Sequence, residues 1–375
     1  MTLPVSNFGI YVHVPFCTVR CGYCDFNTYT PDELQRADAA ETWAESLVKE
    51  ITYSLEQIEK PQILKSIFFG GGTPSLLSPE ILKKIFTKVS SEFNLAEDIE
   101  ITLEANPDTI TKEIVKTWID LGINRISIGM QSSDSAVLKT LDRTHNPENV
   151  KKAVNILQAA GLSNFSLDLI YGTPGESLTS WEQTVTTAIE LEPPHISAYA
   201  LTIEPGTALY RKTKLQQIPP VSADDQADKY LLLDKILSER NLSWYEISNW
   251  AQPGFECQHN LNYWNNQNWW GYGPGAHSHI AGVRWWNVKH PFSYSKKLTE
   301  EKNAIEEKEI LSTAQINLER VMLALRLKSS DLKEIVPNAT LINWLREGYL
   351  KEDLNNFELT PKGRLLLDTL VNQLT

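Results

Sequence analysis

Over roughly the first two hundred residues, apolar positions follow two rhythms in turn. Short apolar runs at 10–14, 63–69, 99–104, 125–130, 165–171 and 195–201 read as buried strands. Between them, apolar residues recur every three or four positions, as in helices that bury one face. The first such segment, 39–59, places Trp43, Leu47, Ile51, Leu55 and Ile58 on one side. The next opens with Ser78 as cap and Pro79 as first helical residue. Others cover 111–121, run from Asn146-Pro147 to Ala160, and cover 177–191. Six alternations of strand and helix predict a parallel sheet of βα units. A partial TIM-like barrel would carry its site on the loops that follow the strands. A flat doubly wound sheet fits the periodicity equally well.

The rhythm changes after about residue 205. A helix is predicted over 222–239, leading into a stretch rich in asparagine and glycine. Seven of the eleven tryptophans lie there: Trp244, Trp250, Trp264, Trp269, Trp270, Trp285 and Trp286. Helical segments at 315–325 and 341–347, then a short strand at 357–359 before Pro361-Lys362-Gly363, predict a small, mainly helical unit. Tyr349-Leu350, Phe357-Glu358-Leu359-Thr360 and Gly363 resemble the wing of a winged-helix fold. The chain is therefore expected to divide into residues 1–240 and 241–375.

Composition narrows the functions. Of 375 residues, 42% are hydrophobic and 22% charged, ordinary for a soluble globular protein. A net charge of −12 without a long basic run argues against nucleic acid as partner. The segment 341–347 is not a basic recognition helix, so a DNA-binding regulator is disfavoured. No apolar stretch approaches the ~20 residues that span a bilayer. The first six residues lack the basic and apolar regions of a signal peptide. Four cysteines in a pattern unlike a disulfide scaffold point to a reducing compartment, and the expected location is cytoplasmic.

Three of those cysteines fall in one run, Cys17-Thr18-Val19-Arg20-Cys21-Gly22-Tyr23-Cys24, directly after the first strand. Thiolates this close can all face one small object. A zinc site or an ordinary iron–sulfur cluster takes four protein ligands. Three leave a metal position open for a substrate or cofactor. A zinc knuckle completed by His13 or Cys257 is the alternative. Further polar or glycine residues fall near the strand ends: Gly70-Gly71-Gly72, Glu104, Gln131 and Asp168. Four candidate ligand groups on one rim of a parallel sheet point to a shared site.

The CxxxCxxC spacing resembles the radical S-adenosylmethionine (SAM) superfamily. There, three cysteines hold a [4Fe–4S] cluster whose fourth iron is chelated by SAM, on a (β/α)6 partial barrel. The flanking Tyr11-Val12-His13-Val14-Pro15-Phe16, with Arg20 and Tyr23-Cys24-Asp25-Phe26, resembles the branch of oxygen-independent coproporphyrinogen III oxidases and haem chaperones of the HemW group. The resemblance implies Cys17, Cys21 and Cys24 as cluster ligands. It also implies Gly71, Gly72 and Thr73 at the methionyl part of SAM, and Glu104 and Asp168 at the ribose hydroxyls. Gln131 and Arg143 would line the same cavity, with Tyr11 and Tyr23 beside the cluster.

Two departures separate this chain from the oxidases: Phe26 stands where they carry a further cysteine, and Tyr11 arrives without their longer N-terminal extension. Both favour the chaperone group over oxidative decarboxylation of coproporphyrinogen III, which stays as the alternative. The string His259-Asn260-Leu261-Asn262-Tyr263-Trp264 is similar to the HNxxYW element of the chaperones and implies His259 as axial haem ligand. Imidazole suits haem iron, and Tyr263 and Trp264 could stack on a porphyrin face. A structural histidine in an aromatic cluster is the other reading, and His277 and His279 compete as ligands. Cys257 reads as a buried small residue. The resemblance implies transfer of haem to an acceptor protein such as a membrane respiratory enzyme, peripheral contact with that membrane, and a homodimeric state.

Overall fold

At the centre of the sheet lies β1 (Asn7–Val14), whose Phe8, Ile10, Val12 and Val14 are all buried. In the computed structural model, which describes residues 7–58, 63–328, 331–353 and 356–374, β1 pairs in parallel with β2 (Ile63–Gly71). Parallel pairing continues through β3 (Asn94–Ala105), β4 (Arg125–Gln131), β5 (Phe165–Tyr171) and β6 (His195–Ala200). Helices Ala39–Ser54, Pro79–Glu92, Lys112–Asp120, Pro147–Ala159 and Leu178–Ile189 return the chain between strands.

Four of these helices start where their cap residues dictate. The side chains of Ser78, Thr111, Asn146 and Ser177 each accept a hydrogen bond from a first-turn N–H. Each such cap is worth about 1 kcal/mol. The first helix stops at Ser54, short of the expected 59; Glu59 lies outside the described residues. The Ser54 hydroxyl bonds the carbonyl of Ile51 and, at 2.7 Å, the hydroxyl of Tyr272. A hydroxyl so engaged favours an end rather than a helix interior.

The sheet does not stop at residue 240. β9 (Trp269–Tyr272) adds in parallel to the free side of β1, and β10 (His277–Ile280), β11 (Val283–Asn287) and β12 (Ile305–Ile310) follow it antiparallel. On the other side β8 (Asn249–Ala251) and β7 (Ser243–Glu246) extend β6. The result is one open twelve-stranded sheet, ordered β12-β11-β10-β9-β1-β2-β3-β4-β5-β6-β8-β7. Helices Thr313–Ala324 and Asn338–Arg346 and the hairpin of β13 (Leu350–Asp353) and β14 (Asn356–Leu359) form the expected wing-like tail.

Glu50 ties the first helix to the added strands. It accepts from Gly273 N at 2.9 Å, Asn287 Nδ2 at 2.6 Å and Tyr294 Oη at 2.5 Å. Burial raises its carboxyl to about 7, against the pull of these three donors. Among the described residues no helix is long and apolar enough to cross a membrane.

Candidate functional site

The inward face of the parallel strands is polar. Along β4, Ile126, Ile128 and Met130 are buried in the hydrophobic core, while Arg125, Ser127, Gly129 and Gln131 line a cavity of about 720 Å³. Strand alternation alone produces this division. Closed eight-stranded barrels of this family of shapes fill their interior with branched apolar side chains. This sheet instead leaves room for a ligand in the 300–1,000 Å³ class of small-molecule sites.

The cysteines sit at the mouth. The loop after β1 is clamped on both sides: Gly22 N donates to Leu141 O at 3.0 Å, and Leu209 N donates to Gly22 O at 2.8 Å. Asn27 reaches across to the added strands, donating to Pro274 O at 2.9 Å and Lys289 O at 2.8 Å. Cys17, Cys21 and Cys24 are free, half-buried and all line the cavity. Burial raises the Cys17 thiol and pushes Cys24 up to about 11, with neighbouring thiols adding to both. A bound positive metal centre would hold thiols raised in this way ionised.

The zinc-knuckle alternatives are not assembled. His13 bonds Tyr11 Oη through Nδ1 at 3.0 Å and Asn27 O through Nε2 at 2.8 Å. Cys257 is fully buried against Glu100 Oε1, at 3.4 Å. Among the described residues no group of three His, Cys, Asp or Glu converges as a single ion would require. A three-thiol rim suits a larger object with one metal left open.

Most of the residues singled out in the sequence meet at this cavity. Gly71, at φ +108°, donates its N–H to Glu104 Oε2 at 3.1 Å, and Thr73 Oγ1 lies 3.6 Å from Cys17 Sγ. A side chain at Gly72 would put Cβ 2.5 Å from the Phe16 carbonyl oxygen, so the glycine run lets two backbones pass closely. Glu104 is raised to about 8, chiefly by burial and then by Asp168. Asp168 accepts from Ser127 at 2.7 Å and Ser166 at 2.9 Å, which orients its carboxylate. Gln131 closes β4 in the left-handed region at φ +62°, a conformation that costs about 1–3 kcal/mol in a non-glycine and clusters at functional sites. Arg143 and Tyr23 complete the wall. Tyr11 lies just behind it, stacked on Phe68 at 6.3 Å between ring centres.

The HNxxYW string folds as helix Gln258–Trp264 and closes the floor of the cavity, where Asn260 is exposed to the space. Glu100 caps it, accepting from Gln258 N at 2.9 Å and His259 N at 3.1 Å. His259 itself is 1% exposed. Its Nδ1 meets Ser66 Oγ at 2.8 Å, its Nε2 meets Tyr263 Oη at 2.8 Å, and its ring stacks on Phe68 at 5.1 Å. Burial lowers its pKa to about 3, with the nearby Arg125 charge adding to the effect. An axial bond to iron from this ring requires one of those two hydrogen bonds to break. Trp264 faces the Arg326 guanidinium at 5.6 Å. Of the competing histidines, His277 is exposed and stacks on Trp286 at 5.5 Å, while His279 is buried against Trp269.

Sequence reasoning missed Arg125. It is 2% exposed, lies on the cavity floor, and its Nε has no acceptor among the described residues. The alternation Arg-Ile-Ser-Ile-Gly-Met-Gln along β4 was the available signal, since it puts every polar residue on one face.

A three-cysteine loop over an open, polar-lined parallel sheet defines a radical SAM protein, and residues 11–188 match the Radical SAM superfamily. Membership in that superfamily implies a [4Fe–4S] cluster and SAM. The chain is 41% identical to the heme chaperone HemW of Mycobacterium tuberculosis, over 99% of this chain and 96% of that protein. It is 34% identical to the HemW of Escherichia coli, over 97% of each. The chain belongs to the HemW family. Its fold is similar to that of Escherichia coli coproporphyrinogen III oxidase (HemN), a radical SAM enzyme, with a TM-score of 0.83 at 22% identity, covering 99% of this chain and 90% of that one.

Proposed function

We propose that this chain is a haem chaperone that holds a SAM-coordinated [4Fe–4S] cluster and passes haem to an acceptor protein. The observation that supports the cofactor half is that three free thiols line the mouth of one polar cavity. Cys17, Cys21 and Cys24 would hold three irons and leave the fourth for SAM. The cluster would supply a low-potential electron to bound SAM.

The chain's own residues account for the rest of that site. The Gly71–Thr73 N–H groups are spent on Glu104, Val14 and Phe16, so this stretch would meet the methionyl amine through carbonyl oxygens and the Thr73 hydroxyl. Asp168, already oriented by two serines, accepts from ribose hydroxyls. Glu104 near pH 7 retains its proton and can donate as well as accept.

The haem half rests on membership in the family of the heme chaperones above. His259 is proposed as the iron ligand in an opened state, in which its ring gives up the hydrogen bond to Ser66 or the one to Tyr263. The test is an anaerobic haem titration of cluster-reconstituted protein, followed at the Soret band beside His259→Ala. One haem per chain in the native protein, with weakened binding and an altered spectrum in the variant, is expected. Absence of saturable binding in the native chain would sink the chaperone reading. An unchanged spectrum in His259→Ala would move the ligand elsewhere.

A further inference from the structure

Cys17 and Cys21 each face a hydrogen-bond donor, and the donors differ in charge. Thr73 Oγ1 faces Cys17 Sγ at 3.6 Å, a neutral hydroxyl. Arg143 Nη1 faces Cys21 Sγ at 3.5 Å, a full positive charge. Other cations near the loop are neutralised: Arg20 pairs with Glu33 at 3.2 Å, and Lys212 with Asp142 at 2.8 Å. Among the described residues Arg143 has no carboxylate partner. Its second terminal nitrogen is anchored instead on the Gly129 carbonyl at 3.0 Å. Gly129 makes this approach feasible, because a Cβ there would stand 2.8 Å from Arg143 Nη2 and 2.9 Å from Gln131 Nε2.

We propose that Arg143 is a positioning and tuning residue for the cluster, setting its reduction potential through a charged N–H···S hydrogen bond to Cys21. The proposal rests on the cluster reading above. One-electron reduction adds negative charge to the cluster and its thiolates, with no proton taken up. A fixed cation in contact with one of those sulfurs stabilises the reduced form more than the oxidised form, and so raises the potential. The arrangement is off-centre: the charged hydrogen bond is made to Cys21, while Cys17 feels the same charge only at longer range. The carbonyl of Gly129 holds it there, on the strand that also presents Gln131 to the cavity.

The test is a mediated redox titration of SAM-free, cluster-reconstituted protein, read by EPR of the reduced cluster with a low-potential chemical reductant. Leaving SAM out removes any contribution from Arg143 contacting it. Arg143→Met, at native iron and sulfide content, is expected to shift the midpoint to a more negative value and to shift the Fe–S(Cys) stretching bands in resonance Raman. Arg143→Lys keeps the charge but not the two-pronged geometry, so its midpoint falls between those two. Gly129→Ala, which touches no cysteine, is expected to shift the midpoint in the same direction by a smaller amount. A native midpoint in iron-replete Arg143→Met overturns the proposal. Should that variant lose iron, native midpoints in both Arg143→Lys and Gly129→Ala overturn it. A native chain that assembles no cluster refutes the cluster reading itself, and the tuning role falls with it.

Discussion

The cysteine loop and the HNxxYW helix carry equally distinctive strings, yet their chemistry in the folded chain is opposite. At the mouth, three half-buried thiols face open space, beside a half-buried Glu104 held largely protonated and the Arg143 guanidinium, whose Nε has no acceptor among the described residues. At the floor, His259 has both ring nitrogens occupied at 2.8 Å and an aromatic ring on its face. The first region is built to receive something. The second is complete as it stands, and any ligand role for it must first undo bonds already made. Motif strength in a sequence therefore does not rank sites by readiness; unmet valence in the fold does.

The largest expected effect separates the two regions outright. Cys21→Ser should abolish cluster assembly, measured as bound iron and sulfide after anaerobic reconstitution, while His259→Ala retains it. Loss of the cluster from both variants would show that the floor helix supports the mouth. His259→Ala should instead cost about 3 kcal/mol of stability in urea denaturation, from two lost hydrogen bonds and the space left by the ring. A cost below about 1 kcal/mol would mean that the floor is looser than its contacts imply.

The pH dependence of stability has opposite signs at the two places. Glu104 titrates near 8 when folded against ~4.3 unfolded, so the folded chain binds the extra proton between those values. Its contribution is present at low pH and is lost as pH rises from about 4 through 8. Glu50, raised to about 7, acts in the same direction. His259 titrates near 3 when folded against ~6.5 unfolded, so its contribution is lost as pH falls below about 6.5. Urea midpoints from pH 5 to 8 should fall less steeply toward alkaline pH in Glu104→Gln than in the native chain. An identical slope would mean that Glu104 is ionised in the folded protein.

The smallest effect bears most directly on the opened state. Ser66→Ala removes one bond that keeps His259 closed, worth about 1 kcal/mol. If haem iron draws on the opened state, the variant should bind haem up to about fivefold more tightly while being slightly less stable. Unchanged haem affinity beside lowered stability would leave His259 as a structural residue.

Much of this arrangement was legible in the chain itself. The six strands and their helices follow from apolar period, and caps such as Ser78, Asn146 and Ser177 fall where the sequence puts them. The added strands were not legible. β7 to β11 are only three to five residues long, and residues such as Trp269, Trp270, Trp285 and Trp286 give no clean alternation against the neighbouring glycines and asparagines. Strands this short are recognised by their partners, not by their own pattern. Arg125 was invisible for a related reason: one arginine at the start of an apolar strand looks like a surface residue until Glu100, Asp168, Tyr245 and Cys257 are folded around it.

By itself, the sequence determined the local chemistry: which segments become strands or helices, and that three thiols share one loop. These depend on neighbours a few positions apart, whose geometry the backbone fixes. The tertiary structure alone decided which groups are left with unfilled valence. Ser66 meets His259 across 193 residues, and Asn27 meets Pro274 across 247. No local pattern specifies such a pairing. It arises when the sheet brings β2 against the floor helix and the cysteine loop against the added strands, and burial then makes every unpaired polar atom costly.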